Sequence, residues 1–292
     1  MSPNQQQHDA WNGPESTHYV DHADRYDRQL EPITGALLQR AAIEAHHAVL
    51  DIGCGCGAAT LAAAASCRRA LGVDISEPLV SVAVSRAQLA SLDRAEFLVA
   101  DAQTHAFEEG AFDILISQFG LMFFEDPVGA FSNLWRALAP NGRIVFASWR
   151  GIADNEWLAP VRSAVQRYTT VPDLGGLANG GGMFQLRDRS ETVGLMEAAG
   201  FEGIVVDQID SPLLIGGGGS LDETADFLFG MGIVRGLLGP LDDGQRGSAI
   251  AEVRAELEHL HEEGVGVRLG SGVWLVSAQA GTGAGARSAR RR

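Results

Sequence analysis

The sequence is short of positive charge, short of cysteine and without a long apolar run. Against 37 aspartates and glutamates it carries 22 lysines and arginines, a formal charge of −15. So acidic a surface excludes a nucleic-acid phosphate backbone, or an anionic membrane, as the main partner, because either interface needs concentrated Lys and Arg. The one basic cluster, Arg287, Arg290, Arg291 and Arg292, lies in a Gly/Ser/Ala/Arg tail over residues 281–292 that has too little apolar content to pack and is expected to be disordered. The three cysteines, Cys54, Cys56 and Cys67, are odd in number. Cys54 and Cys56 stand too close for a zinc knuckle and no second Cys/His pair follows, so neither a disulfide framework nor a metal site is expected. No signal-peptide pattern opens the chain and no apolar run reaches spanning length, which points to the cytoplasm.

The 292 residues, 46% hydrophobic and 20% charged, suit one large domain or a core with a smaller cap. The chain is organised around Val49-Leu50-Asp51-Ile52-Gly53-Cys54-Gly55-Cys56-Gly57-Ala58-Ala59-Thr60. An apolar run ends in an acid, breaks into alternating glycines and becomes an alanine-rich helical pattern, which is how a strand, a tight turn and a helix start read in sequence. Such a turn is a ligand cradle, because glycines without Cβ atoms let a bound molecule lie against the backbone.

Further strands are expected at 70–74, 95–100, 112–117 and 143–149, after a first at 46–51. Helices are expected at 32–45, with Pro32 in the first turn, at 61–67, at 77–92 with Ser76 as N-cap, and from Pro127 to about Ala139. Alternation of strand and helix across 46–149 implies a doubly wound, mostly parallel α/β sheet with ligands at the carboxyl ends of its strands, where Asp51, Asp74, Asp101 and Ser117-Gln118-Phe119 all fall. Beyond Gly151 a Gly-rich run from Leu174 to Phe184, a helix at 190–199, a strand at 202–209, a Gly216–Gly219 joint, a helix at 249–263 and a strand at 273–278 follow. The first 15 residues are polar, with disorder expected at the extreme end, but Trp11, His18, Tyr19, His22 and Tyr26 make the next segment aromatic enough either for a lid or for rings that pin an N-terminal arm to the core.

Two ligands compete for the glycines. Gly53-Cys54-Gly55-Cys56-Gly57-Ala58 satisfies the looser dinucleotide fingerprint, with Asp74 about 20 residues on to hold a ribose diol. A nicotinamide oxidoreductase, however, gives no reason for an acid before the first glycine or for a second carboxylate closing the third strand. Those features resemble the class I S-adenosylmethionine-dependent methyltransferases. Asp51 to Gly57 is similar to that family's glycine motif, Gly72-Val73-Asp74-Ile75-Ser76 to its second-strand acidic motif, Asp101-Ala102 to its adenine-side position, Phe112 to Ser117 to its fourth strand, and Leu138 to Phe146 to its fifth-strand entry. Met122-Phe123-Phe124-Glu125-Asp126-Pro127 and the Trp274 strand resemble the ubiquinone-methylase-like small-molecule branch.

The resemblance implies a Rossmann-like sheet of seven strands, the sixth over 201–210 and the last, Val273 to Ala278, antiparallel. It divides the chain into an N-terminal arm over 1–31, an S-adenosylmethionine-binding core over 32–150, the rest of the sheet over 151–280 with cap insertions at about 151–185 and 212–245, and the tail. Cofactor contacts are expected from Asp51, Gly53, Cys54, Gly55, Gly57, Asp74, Ile75, Asp101, Ala102, Gln103, Ser117 and Gln118. The chemistry fits: Asp74 can accept both ribose hydroxyls, Asp101 with the Ala102 backbone can reach the adenine amino group, and Asp51 can attract the methionine ammonium.

Methyl transfer is an in-line displacement whose acceleration comes from holding the nucleophile behind the methyl group in a dry pocket. Trp11, Tyr19, Tyr26, Phe119, Met122, Trp149, Met183 and Phe184 are the candidates to hold a small-molecule acceptor, whereas Phe123 and Phe124 read as core. His18, His22 and His105 are the candidate bases. Ser117-Gln118-Phe119-Gly120 is not the Asn/Asp-Pro-Pro-Tyr pattern of nucleobase-amine methylation, and no carboxylate set of the catechol-type metal site is present. The expected protein is thus a small-molecule methyltransferase, monomer or homodimer, with a non-methylating use of the same pocket as a further reading.

Overall fold

The computed structural model describes residues 4–171 and 182–281. Its sheet contains β1 (Ala48–Ile52), β2 (Arg69–Asp74), β3 (Ala95–Val99), β4 (Phe112–Gln118), β5 (Leu138–Trp149), β6 (Phe201–Leu214), the two-residue β7 (His261–Glu262) and β8 (Gly266–Ala280). The order is β3-β2-β1-β4-β5-β8-β6, with β7 pairing only with β8. The first five strands are parallel to one another, and β8 lies antiparallel between β5 and β6. This is the mostly parallel Rossmann-like sheet that the strand pattern and the resemblance implied.

Three boundaries differ for physical reasons. Strands β6 and β8 run on as a two-stranded ladder to Leu214↔Arg268, well past the predicted ends; Gly266, Gly270 and Gly272 break the apolar pattern there and hide the strand. Pro140-Asn141-Gly142, between the expected helix end at about Ala139 and the strand expected from 143, lies inside β5 as a bulge: Leu138 pairs with Phe112, pairing resumes at Arg143↔Ile114, and Asn141 takes φ 65°. The helix expected from Pro32 begins nine residues earlier, and Pro32 sits within it.

That helix is the third of three at the N-terminus: α1 (Gln5–Trp11), α2 (Pro14–Asp21) and α3 (Ala23–Ala41). The stripe that α3 buries, Ala23, Tyr26, Gln29, Ile33, Leu37 and Ala41, has helical spacing throughout, but a buried glutamine masks its first half. Gln29 is satisfied by accepting the Gly216 N–H at 2.7 Å. Ser76 caps the helix after β2 as expected, accepting from the Leu79 N–H.

Alternate residues of the buried strands face two cores. Val49, Ile114, Ile116 and Val145 pack with Leu37 and Ala41 of α3 and with Ala59, Ala63 and Ala64 of α4 (Ala58–Ala64). Leu50, Leu115, Ile144 and Phe146 pack on the opposite side with Phe131 and Leu134 of α6 (Pro127–Ala137) and with the cap; α5 (Glu77–Leu89) flanks β3. The cap comprises α7 (Ala159–Gln166), α9 (Leu221–Gly230), α10 (Gly232–Leu238) and α11 (Asp243–Leu260), whereas α8 (Arg189–Ala198) flanks the sheet against β6 and α6. Capping boxes start α9 (Ser220, Glu223) and α11 (Asp242, Gln245). The Gly216–Gly219 joint is tied to α3, with Arg25 donating to the Gly216 and Gly218 carbonyls and Arg28 to that of Gly217. Most of the Leu174–Phe184 run and nearly all of the basic tail lie outside the described residues. No described helix is long and apolar enough to cross a membrane.

Candidate cofactor and acceptor site

A cavity of about 400 Å³ opens at the carboxyl ends of β1, β2 and β4, under the N-terminal helices and the start of α10. Its floor is the glycine turn. Gly53, Gly55 and Gly57 all have positive φ, and a Cβ on Gly53 would stand 2.6 Å from the Gly120 Cα, so that position requires glycine. The Gly53 and Cys54 N–H groups both donate to the Val73 carbonyl, at 2.8 and 3.2 Å, which ties the turn to β2.

Asp74, ending β2, accepts from the Gly55 N–H at 2.8 Å on Oδ2 and from the Ser76 N–H at 2.9 Å on Oδ1. Each oxygen keeps a lone pair for a diol. Burial raises its carboxyl above the ordinary value against the pull of those N–H donors. Asp51, ending β1, is 1% exposed and accepts from the Thr60 hydroxyl at 2.5 Å. Burial, reinforced by the nearby Asp74 charge and opposed by Thr60, pushes its carboxyl up to about 7. Asp101, after β3, accepts from the Gln103 N–H at 3.0 Å and from Asn4 Nδ2 at 3.2 Å on Oδ1. Asn133 fixes its loop by donating to the carbonyls of Ala102 and His105.

Five carboxylates face the cavity, those of Glu15, Asp27, Asp51, Asp74 and Asp101, and no lysine, arginine or histidine does so among the described residues. A pyrophosphate meets no counter-charge here, whereas a sulfonium with an ammonium group does. The donor set therefore fits adenosylmethionine and disfavours a dinucleotide.

The other end is aromatic. Tyr19 and Tyr26 stack with centroids 3.9 Å apart, Phe119 and Trp149 at 4.0 Å, and Trp11 meets Tyr19 and Phe123 edge-on. Met122 and Met183 join this wall, together with Met231 and Ile233 of the cap. The N-terminal helices are latched over it. Asn12 donates to the Ile75 carbonyl at 3.1 Å and accepts from the Glu77 N–H at 3.0 Å, Arg86 bonds Asp24 and Asp27, and Glu15 pairs with Arg235 of α10 at 2.8 Å.

Residues 50–146 match the family model described as a methyltransferase domain. The match spans the glycine turn, Asp74, Asp101 and β4. The chain is 34% identical over 134 residues to the demethylmenaquinone methyltransferase of Thermus thermophilus, an alignment covering 45% of this chain and 60% of that protein. It is 33% identical over 121 residues to the aklanonic acid methyltransferase DauC of a Streptomyces species, covering 40% and 50%. The chain thus spans about half the length of the curated relatives it matches. Among solved structures, the YcgJ protein of Bacillus subtilis superposes with a TM-score of 0.54 at 20% identity, over 84% of this chain and 97% of that one, a likeness of fold.

Within the matched segment the cavity gathers Asp51, Gly53, Cys54, Gly55, Asp74, Ile75, Asp101, Ala102 and Gln118, and around them Trp11, Tyr19, Tyr26, Phe119, Met122, Trp149 and Met183. Seven sequence candidates are not on its wall. Gly57 packs against Ala83 and Phe97. Ser117 is buried, donating to the Ile52 carbonyl at 2.7 Å and accepting from Gly120, a staple for the turn. Gln103 accepts the Asp126 N–H outside the cavity. Phe184 is core. His105 packs edge-on against Phe107, while His18 and His22 lie behind Tyr26, against Phe227. In the other direction, Phe123, read as core, faces the cavity, as do Asn4, Glu15, Asp27, Thr34, Met231 and Ile233, which the motifs did not mark.

Proposed function

We propose that the protein is an S-adenosylmethionine-dependent methyltransferase for a small, largely apolar acceptor. The observation that carries this reading is the cavity lining, in which Asp51, Asp74 and Asp101 stand at successive strand ends around the glycine turn without an arginine partner and no cationic side chain lines the wall among the described residues. Asp74 holds the ribose diol, Asp101 and the Ala102 backbone the adenine edge, and Asp51 the methionine ammonium. Adenosylmethionine supplies a methyl group activated by its sulfonium charge. The chain supplies position: the stacked Phe119 and Trp149 and the tyrosine pair exclude water and present an aromatic face to the sulfonium.

Two relatives carry names that specify small-molecule methylation, which accords with a cavity of about 400 Å³ in all. The N-terminal arm, residues 1–31, acts as the lid, because its helices line the cavity and are held in place by a few polar latches to the core and to α10. The enzyme works in the cytoplasm, as monomer or homodimer, without nucleic acid or membrane as partner. The test is mass spectrometry of candidate acceptors incubated with protein and adenosylmethionine: the gain of one CH₂ unit per product supports the reading, and turnover without it refutes methyl transfer.

A further inference from the structure

Asn4, at the start of the N-terminal arm, is fixed more firmly than a polar chain end requires. It is 6% exposed, lines the cavity and stands as the N-cap of α1. Its backbone N–H donates to Glu125 Oε2 at 2.7 Å and its side-chain Nδ2 to Asp101 Oδ1 at 3.2 Å, which pins it to the loops that follow β3 and β4. The backbone lies in the left-handed region, at φ 61° and ψ 20°, which asparagine tolerates better than most residues with a side chain.

The neighbour settles which way the amide points. A carboxylate accepts and does not donate, so the branch turned to Asp101 is the NH₂ and the other branch is the carbonyl oxygen. That oxygen, Oδ1, is buried without a hydrogen-bond partner among the described residues. Folded proteins rarely leave a buried acceptor unpaired, because the lost hydration is not repaid until a donor arrives. Beside it, Asp101 Oδ2 accepts only a long 3.3 Å bond from the Thr104 hydroxyl and keeps capacity for another donor. Two acceptor oxygens thus stand on adjoining, mutually hydrogen-bonded side chains, one from the arm and one from the end of β3.

Resting on the methyltransferase reading above, we propose that Asn4 is a second adenine-binding residue: Asp101 takes one N–H of the exocyclic amino group and Asn4 Oδ1 takes the other, so that the arm itself reads the base. An amino group has one donor for each of the two acceptors. A base with a carbonyl at that position turns a third oxygen toward them and is rejected. From Asn4, α1 leads directly to Trp11 on the aromatic wall, so the element that meets the base also builds the acceptor end.

The left-handed backbone and the tether to Glu125 would by themselves explain an asparagine here, and Asn4→Gly separates the two roles. Glycine keeps that backbone and its N–H but removes the amide. The full chain, wild type and Asn4→Gly, is titrated by calorimetry with S-adenosylhomocysteine and with S-inosylhomocysteine, in which a carbonyl replaces the amino group. Wild type is expected to prefer the adenosyl compound, and the ratio of the two affinities is expected to fall by about tenfold in Asn4→Gly, the worth of one buried hydrogen bond. A purely structural tether weakens both ligands alike and leaves the ratio where it was. A ratio in Asn4→Gly within about twofold of the wild-type value, or equal binding of the two compounds by wild type, overturns the inference. Failure of adenosylhomocysteine to bind folded wild type overturns instead the methyltransferase reading, and that result is read from the wild-type titration alone.

Discussion

Asp74 and Gly55 are joined by a 2.8 Å hydrogen bond from the Gly55 N–H to Asp74 Oδ2, while Ser76 occupies the other oxygen. The carboxylate that receives the ribose in our account is thus also the brace of the glycine turn. The two parts of the motif are one device.

Replacing Asp74 by Ala therefore removes the diol acceptor and loosens the turn together. At about 1.5–3 kcal/mol per hydrogen bond to a charged group, calorimetry is expected to show adenosylhomocysteine binding weakened by about 10- to 100-fold or more. Unchanged affinity contradicts the assignment of Asp74.

Gly53→Ala is expected to destabilise the fold by about 2 kcal/mol or more, because alanine is strained at φ 68° and its Cβ would collide with Gly120. Chemical denaturation reads this directly. A midpoint equal to wild type refutes the close approach of the two turns.

The carboxyl of Asp51 sits at about 7 in the fold against 3.8 for an unperturbed group. The folded state keeps a proton that the unfolded chain has released, so this contribution to stability is full below pH about 4 and is lost as pH rises through about 7. The loss amounts to about 4 kcal/mol at most, at about 1.36 kcal/mol per unit. Unliganded protein is expected to unfold more easily at pH 7.5 than at pH 5 by a margin that Asp51→Asn reduces. The ammonium of the cofactor favours the charged carboxylate, so binding near pH 6 is expected to release a proton, detectable as a dependence of the calorimetric heat on the buffer.

Asn12 bridges the arm to the loop after β2 through the Ile75 carbonyl and the Glu77 N–H. With about 1–2 kcal/mol at stake, Asn12→Ala is expected to raise the dissociation rate of adenosylhomocysteine by about 5- to 30-fold and to speed amide exchange over residues 5–21. Equal rates refute the arm as a lid.

The sequence made the five parallel strands and the carboxylates at their ends legible, because buried parallel strands are nearly continuous apolar runs and an acid at their carboxyl end stands out. It did not distinguish Ser117 from Gln118: adjacent residues on a strand point to opposite sides, and Ser117 turns inward to staple Ile52 while Gln118 reaches the cavity. Nor did it mark Met231 and Ile233, which join the site only because α9 and α10 fold back over residues more than 200 positions earlier, a closure with no local signal. His18 was noticed for its chemistry, but its place behind Tyr26 depends on the packing of α2 against Gly230.

The central claim is the identity of the ligand, and a calorimetric titration of folded, ligand-free protein with adenosylhomocysteine, adenosylmethionine and NAD tests it most directly. Saturable binding of the two adenosyl compounds, lost in Asp74→Ala, with no heat from NAD, is the predicted result; binding of NAD with no response to either adenosyl compound would contradict the account.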